Sequence, residues 1–232
     1  MRVPPCPSSG GGEGDIRQWA LIIYGMILVG QYDSPFVRRV AISLRLLGIG
    51  YEHDTRSVFG DFDAMRRVNP LGRIPSLVLD GGEILIDSAA ILDWLDETAG
   101  PARALVPPHG PARRQVLRRI ALATGAIDKA GAVVYERLIR PSAYRWPDWI
   151  ARCTTQAEGA IAALAAEPWP KGGRLDQAQI TTACMIRWSR IAAPDFLPPG
   201  RYPALDALSG RCEALAEFAA TDPPDYSVPR RD

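Results

Sequence analysis

The chain has 232 residues, of which 47% are hydrophobic and 23% are charged, and its formal net charge is +1. This length and composition predict a sizeable core in one large domain or in two small ones. The near-neutral charge without a basic stripe argues against nucleic acid as a partner, and the lack of an apolar run of about 18 residues argues against a membrane span.

The first 25 residues are expected to form an extension outside the folded part. Residues 2–14 are rich in Pro, Ser and Gly, a composition typical of disorder. The apolar stretch from Trp19 to Val29 is not interpreted as a signal peptide, because it runs straight into the first predicted strand and cleavage there would destroy the fold. A plain alternative is that translation begins at Met26.

The segment from Met26 to Arg39 organises the first half of the chain. Met26–Val29 is a short apolar run of strand type, and apolar residues recur at helical spacing from Val37 onward. Between them, Ser34 suits a helix N-cap and Pro35 suits the first helical position. A hydroxyl therefore lies at the end of a strand and at the positive end of a helix dipole, which favours a neighbouring thiolate or another anion.

The elements that follow complete a β-α-β-α-β-β-α order. Gly48 is a natural stop for the first helix, and Asp80-Gly81-Gly82 is a turn between two strands. In the short helix after the second strand, Phe62 and Met65 are expected to face inward. This order predicts a thioredoxin-like α/β domain over residues 26–101. Its later strands are expected at 51–55, 74–79 and 83–86, and its later helices at 61–68 and 87–100.

The second half is expected to be all helical. Residues 102–111 contain three prolines and are interpreted as the domain linker. The helical domain is placed at 112–220, with a charged, Pro-rich tail at 221–232. Asp176 and Gln179 can form a capping box at the start of one helix. The four helices are predicted at 113–139, 149–164, 177–192 and 205–218.

The cysteines and histidines give no sign of a disulfide or a metal. Cys6, Cys153, Cys184 and Cys212 form no CxxC pair, so we expect free thiols in a reducing, cytoplasmic compartment. Cys153 and Cys184 fall within helical patterns and are expected to be buried. The two histidines share no ligand spacing with cysteine or carboxylate, and no metal is predicted.

Three motifs, followed by an all-helical half, resemble the cytosolic glutathione S-transferases, most closely their serine-type bacterial branch. The motifs are SPFVRR at 34–39, NPLGRIP at 69–75 and IDS at 86–88, and the resemblance spans residues 26–218. It implies a glutathione-binding thioredoxin-like domain, a helical domain for a second substrate, and a homodimer acting in detoxification. Pro75 begins a predicted strand, where a proline cannot donate to the ladder, and a cis Ile74–Pro75 bond would resolve this.

The resemblance also implies roles for the residues nearest the sulfur of glutathione. Ser34 matches the hydroxyl that donates a hydrogen bond to the sulfur and so activates it. Ile74 and Pro75 match the backbone that pairs with the cysteinyl part of the tripeptide. Arg73 matches the position that meets the glycyl carboxylate, and a solvated surface arginine is the equally weighted alternative.

The same resemblance places Asp87 and Ser88 at the γ-glutamyl end. Asp87 suits the ammonium group, and Ser88 with the free N–H groups of a helix start suits the carboxylate. Helix capping is the alternative role for both residues, and the two roles can coexist. Phe36 is counted with the glutathione site. The second-substrate pocket has candidate aromatic residues, which are more often core: Phe36, Tyr135, Tyr144, Trp146 and Trp149.

The leading function is therefore that of a transferase that joins glutathione to a small apolar electrophile, with glutathione as co-substrate and no metal. A glutathione-dependent lyase, dehalogenase or isomerase is an alternative on the same fold. A second alternative is a non-catalytic glutathione-binding or regulatory protein, because fold alone does not fix function. The lack of a cysteine at position 34 argues against thiol–disulfide exchange.

Overall fold

A computed structural model of the chain describes residues 25–223. The predicted N-terminal extension, apart from Gly25, lies outside the described residues, as do Cys6 and the predicted tail beyond residue 223. The first half contains β1 (Ile27–Val29), α1 (Pro35–Leu46), β2 (Glu52–Asp54), α2 (Phe62–Val68), β3 (Ser76–Val78), β4 (Ile84–Ile86) and α3 (Ser88–Ala99). The second half contains α4 (Gly110–Leu138), α5 (Pro147–Ala165), α6 (Gln177–Ala192), α7 (Pro203–Glu213) and α8 (Ala216–Ala219), with 3₁₀ turns at Ser142–Tyr144 and Pro194–Phe196.

The first half is a mixed four-stranded sheet in the order β2-β1-β3-β4. β1 pairs in parallel with β2 and antiparallel with β3, which pairs antiparallel with β4. Side chains of β1 alternate between two cores, because successive residues of a strand point to opposite faces. Leu28 packs with the apolar residues of α1 and α3, whereas Ile27 and Val29 pack with Met65 of α2. The predicted thioredoxin-like order is confirmed.

The second half is all helical, as predicted, and α6 lies at its centre. Nearly every residue of α6 from Gln177 to Ser189 is buried, because α1, α4 and α7 all pack against it. Small residues on α4, such as Ala123 and Ala130, let α5 approach closely. The capping box at the start of α6 is confirmed: the Asp176 side chain accepts from the Gln179 backbone at 2.8 Å, and the Gln179 side chain accepts from the Asp176 backbone at 3.1 Å.

The structure corrects two predictions of helical structure. The helix predicted at 205–218 is broken at Leu215, whose backbone is extended, and α8 then turns back so that Phe218 is fully buried. Phe62 does not face inward. It is half-exposed, and its ring lies beside Gly72. The spacing of apolar residues predicts both helices. It does not predict where a helix breaks or which residues contact the side chains near its ends.

Several local expectations are confirmed. The Ile74–Pro75 peptide bond is cis, and Gly48 follows α1 with a φ of +69°. Cys153, Cys184 and Cys212 are free and buried. Helix α4 begins at Gly110, inside the predicted linker, since Pro111 is accommodated in its first turn. Among the described residues, none of the helices has the length and apolar character needed to cross a bilayer.

Candidate active site

A cavity of about 550 Å³ lies between the sheet half and the helical half. Its walls come from the segment that leads into α1, from the loop before α2, and from the loop before β3. The facing wall is α4 between Ile127 and Tyr135, together with Trp188 of α6. Four of the seven predicted site residues line it: Ser34, Phe36, Arg73 and Ile74. Pro75, Asp87 and Ser88 are not among its lining residues.

Ser34 lies at the start of α1, as the sequence predicts. It is the N-cap, with an extended backbone, and its Oγ accepts a 3.4 Å hydrogen bond from the backbone N–H of Val37. Because the oxygen accepts in this contact, the hydroxyl proton can be donated to a ligand in the cavity. The positive end of the α1 dipole acts on the same space and favours an anion there.

The loop that carries Ser34 is held from behind by β2. The Tyr32 and His53 rings stack with their centroids 3.9 Å apart, and the Tyr32 hydroxyl is 2.8 Å from that of Tyr51. His53 Nε2 lies 2.7 Å from the carbonyl oxygen of Gly30. Burial raises the pKa of the Tyr32 phenol, which therefore stays neutral near pH 7. These contacts fix the loop without using the hydroxyl of Ser34.

Gly30 brings the Ser34 loop close to Ile74. Its φ is +126°, and a Cβ placed there would lie 2.7 Å from Val37 Cγ2 and 2.8 Å from Ile74 Cβ. Only glycine permits both this backbone conformation and this approach. The end of β1, the start of α1 and the loop before β3 therefore converge on one edge of the cavity.

Arg73 and Ile74 owe their position to Asn69, whose contacts the sequence did not predict. The buried Asn69 side chain donates a 2.8 Å hydrogen bond from Nδ2 to the Arg73 carbonyl oxygen and accepts one of 3.0 Å at Oδ1 from the Leu71 N–H. These two bonds fix the loop before β3. The signal in the sequence was the Asn-Pro pair, which indicated a turn but not its contacts.

Asp87 and Ser88 begin α3 outside the cavity lining. Asp87 caps the helix, its Oδ1 accepting from the Ala89 N–H at 2.8 Å, so its predicted capping role is confirmed. Its φ of +70° is unusual for a residue with a side chain, and such conformations cluster at functional sites. Ser88 is buried, and its Oγ accepts a 2.7 Å hydrogen bond from Arg39 Nη2. Their roles toward glutathione remain predictions.

Asp128 on α4 is a cavity residue that the sequence reasoning missed. Burial raises the pKa of its carboxyl group, and the charge of Asp87 raises it further, whereas Arg73, Lys129 and Arg39 lower it. The charge of the Asp87 helix start therefore acts on a side chain of the cavity wall. A single aspartate on a long helix reads as part of a solvated face, and only the packing of α4 over the first half shows otherwise.

Five aromatic residues of the described chain line the cavity, and they differ in part from the predicted set. Phe36 and Tyr135 line it as predicted, and burial raises the pKa of the Tyr135 phenol. The other three candidates do not line it and are not core either, because Tyr144, Trp146 and Trp149 are solvent-exposed. Phe59, Phe62 and Trp188 line it instead. In the described range, no cluster of three His, Cys, Asp or Glu residues is placed to hold a metal.

Comparison with known proteins agrees with this architecture. Residues 28–103 match the glutathione S-transferase N-terminal domain family. An uncharacterized GST-like protein of Escherichia coli K12, YibF, is 31% identical over 205 residues, which cover 86% of this chain and 99% of that protein. A probable maleylacetoacetate isomerase of Vibrio cholerae is 31% identical over 212 residues, covering 85% of this chain and 95% of that protein.

A solved structure gives the same relationship in three dimensions. The chain superposes with a TM-score of 0.81 on a glutathione S-transferase from Methylobacterium radiotolerans in complex with glutathione sulfonate. The two chains are 29% identical, and the match covers 89% of this chain and 99% of the other. The thioredoxin-like sheet, the helical half and the cavity between them are the features of a glutathione-binding fold. This chain belongs to the glutathione S-transferase family.

Proposed function

We propose that the protein is a serine-type glutathione transferase. The observation that carries the proposal is the meeting, at one cavity, of the Ser34 hydroxyl at a helix start, the backbone of Ile74 and an aromatic wall from both halves. Ser34 donates a hydrogen bond from its hydroxyl group to the sulfur of bound glutathione and so favours the thiolate. The thiolate attacks an electrophilic carbon held against the aromatic wall. A C–S bond forms, the bond from that carbon to its leaving group breaks (chloride departs from an aryl chloride with the bonding electrons), and the thiol proton passes to solvent.

The hydrogen bond from Ser34 is strong enough to raise the thiolate fraction of bound glutathione at neutral pH. A thiol with a pKa of about 8.5 is mostly protonated there, and only the thiolate is a good nucleophile. One hydrogen bond to a charged group contributes about 1.5–3 kcal/mol. Since about 1.36 kcal/mol corresponds to one pKa unit, this bond lowers the pKa of the thiol by about one to two units.

Ser34→Ala is the first test. The substitution removes the donor, so the pH–rate profile for conjugation of an aryl chloride should move about one to two units to higher pH. Ser34→Thr keeps a hydroxyl and should retain most of the wild-type profile. The measurement is kcat/KM against pH for each variant.

Asp176→Ala is the matched control, because it also removes a helix N-cap but lies at the start of α6, outside the cavity lining. Both alanine variants should lose about 1 kcal/mol of stability from the lost cap. Only Ser34→Ala should shift the pH profile. An unchanged profile in Ser34→Ala would refute the role of Ser34 in activating the thiol.

An isomerase is the second enzymatic candidate, and the Vibrio cholerae relative named as a probable maleylacetoacetate isomerase supports it. The charge of the cavity favours the transferase for this chain. Among the described lining residues, Arg73 is the one basic side chain, whereas Asp33 and Asp128 are acidic. A screen of neutral electrophiles against carboxylated unsaturated substrates distinguishes the two activities.

A non-catalytic glutathione-binding protein is the remaining alternative. Retention on immobilised glutathione without turnover of any electrophile would favour it.

We also propose that the enzyme works as a cytoplasmic homodimer in detoxification. Family resemblance supports the dimer, and the three free, buried thiols are compatible with a reducing compartment. Light scattering tests the dimer.

A further inference from the structure

Arg39 is a buried cation next to the predicted γ-glutamyl site. Its side chain projects from α1, the residue is only 2% exposed, and its guanidinium carbon lies 5.6 Å from the centre of the Phe36 ring, which lines the cavity. Its Nη2 donates the 2.7 Å hydrogen bond to Oγ of Ser88, the first residue of α3. Arg39 therefore links the cavity wall at α1 to the helix start where the anionic end of glutathione is predicted to bind.

The charge of Arg39 is poorly compensated within the part of the chain that the structure describes. Nε and Nη1 are buried and have no hydrogen-bond partner there. Burial lowers the pKa of the Arg39 guanidinium to about 10, even though the charges of Asp87 and Asp128 oppose this effect. The group remains a cation at neutral pH. A buried cation without close carboxylate partners is costly and destabilises the protein that contains it.

Two other buried arginines show the opposite arrangement. Arg38, the preceding residue, forms a bidentate ion pair with Glu213 and also donates to two backbone carbonyl oxygens. Arg119 on α4 is 4% exposed and pairs with Glu167 at 2.9 Å. Both of these buried arginines are therefore paired with a carboxylate. Arg39 differs because no carboxylate of the described chain pairs with it, and it lies next to the site where the carboxylate of glutathione is predicted to bind.

We propose that Arg39 is the positioning residue for the α-carboxylate of the γ-glutamyl end of glutathione, and that it acts through Ser88. This inference rests on the glutathione-binding function proposed above. Because Ser88 Oγ accepts from Arg39, its hydroxyl proton is left to be donated to the ligand carboxylate. The guanidinium behind it and the first N–H groups of α3 favour the same anion. Asp87 and Asp128 flank the cation and favour the neighbouring ammonium.

The experiment compares Arg39→Met with Arg119→Met in the full-length protein, by calorimetric titration with glutathione and by thermal unfolding. Arg39→Met should weaken the glutathione Kd by about ten-fold or more, since it removes the guanidinium charge behind the ligand carboxylate and the bond that orients the Ser88 hydroxyl. Its unfolding midpoint without ligand should stay equal or rise. Arg119→Met removes the buried partner of Glu167 and leaves it with the exposed Arg118, so its midpoint should fall while its glutathione Kd stays at the wild-type value.

A second ligand separates positioning from a general loss of binding. The probe is glutathione whose γ-glutamyl α-carboxylate is replaced by the amide. Wild type and Arg119→Met should prefer glutathione over this amide by about ten-fold or more, and Arg39→Met should bind the two ligands almost equally. If Arg39→Met does not fold, Ser88→Ala replaces it, and the same loss of preference is expected.

The outcomes separate this inference from the function on which it rests. Wild-type protein that binds no glutathione overturns the proposed function and this inference with it. Wild-type protein that binds glutathione, beside an Arg39→Met or Ser88→Ala variant with undiminished preference over the amide, overturns the role of Arg39 alone. A lower unfolding midpoint with unchanged Kd in Arg39→Met would make Arg39 a structural residue only.

Discussion

At the scale of single residues, we expect Asp128 to influence which electrophiles the cavity accepts. It lies on the α4 wall, and burial raises the pKa of its carboxyl group. A substrate that carries a carboxylate would be repelled by the charge of Asp128 unless one of the two groups took up a proton. Neutral and cationic electrophiles meet neither cost, so we expect the enzyme to prefer them.

Asp128→Asn tests this preference. With 4-chloro-3,5-dinitrobenzoate and its neutral amide as a matched pair, the variant should raise kcat/KM for the carboxylate relative to the amide by about ten-fold. The control is Asp93→Asn, which removes an exposed carboxylate on α3 outside the cavity lining. In wild type the carboxylated substrate should gain as the pH falls, because protonation removes the charge of Asp128. Equal ratios in all three proteins would contradict the prediction.

Two of the predicted site residues have chemistry that is visible from their neighbours in the chain. Ser34 was recognisable because a hydroxyl precedes a proline at the end of an apolar strand, and Asp87 because an acid precedes a helical pattern. Arg39 and Asp128 were not recognisable, since each acquires its meaning from elements far away in sequence. In the sequence, Arg39 is one of two adjacent arginines on a helix. Only the packing shows that Arg38 forms an ion pair with a carboxylate, whereas Arg39 donates to the Ser88 hydroxyl.

At the scale of elements, the contact between Gly30, Val37 and Ile74 sets the distance between α1 and the loop before β3. Gly30→Ala should cost about 2 kcal/mol or more, because a Cβ meets two side chains and the backbone φ is unfavourable. It should also weaken glutathione binding, since Ser34 and Ile74 are pushed apart. Chemical denaturation and calorimetric titration measure the two effects.

Gly48→Ala is the matched control for this prediction. Gly48 also has a positive φ, of +69°, but a Cβ there meets nothing within 4 Å. It should therefore cost only about 1 kcal/mol, from the left-handed backbone alone, and leave glutathione binding unchanged. If the two variants lose the same stability, the close approach at Gly30 does not matter.

Element order and most helix starts could be predicted because they depend on local rules. The capping box at Asp176 and Gln179 is an example, since both partners lie within four residues. The break at Leu215 could not be predicted, because α8 turns back to bury Phe218 beside Arg38, and no local pattern encodes that contact.

At the scale of the whole molecule, Arg38 ties the first half of the chain to its last helices. Its bidentate pair with Glu213 of α7 is partly buried, and its bonds to the carbonyl oxygens of Phe218 and Thr221 are buried. Arg38→Met leaves these groups without their donor. It should destabilise the protein by about 3 kcal/mol or more.

Arg187→Met removes a comparable pair with Asp222 at the surface, where both side chains are substantially exposed. Its cost should be at most about 1 kcal/mol, because solvent screens an exposed ion pair. Urea unfolding of the two variants gives both values. A small loss for Arg38→Met would mean that the last helices are not held by this arginine.

The largest buried cluster belongs to neither half alone. Leu28, Ile42 and Leu95 from the sheet side pack together with Ile180 and Leu208 from the helical side. The fragment that ends near residue 101 is therefore not an independent building block, although a family model recognises it by sequence. A chimera that joins the first half of one relative to the helical half of another should have poorly matched packing between α1 and α6. Exchanging those two helices as a pair is the route by which such hybrids should stay folded.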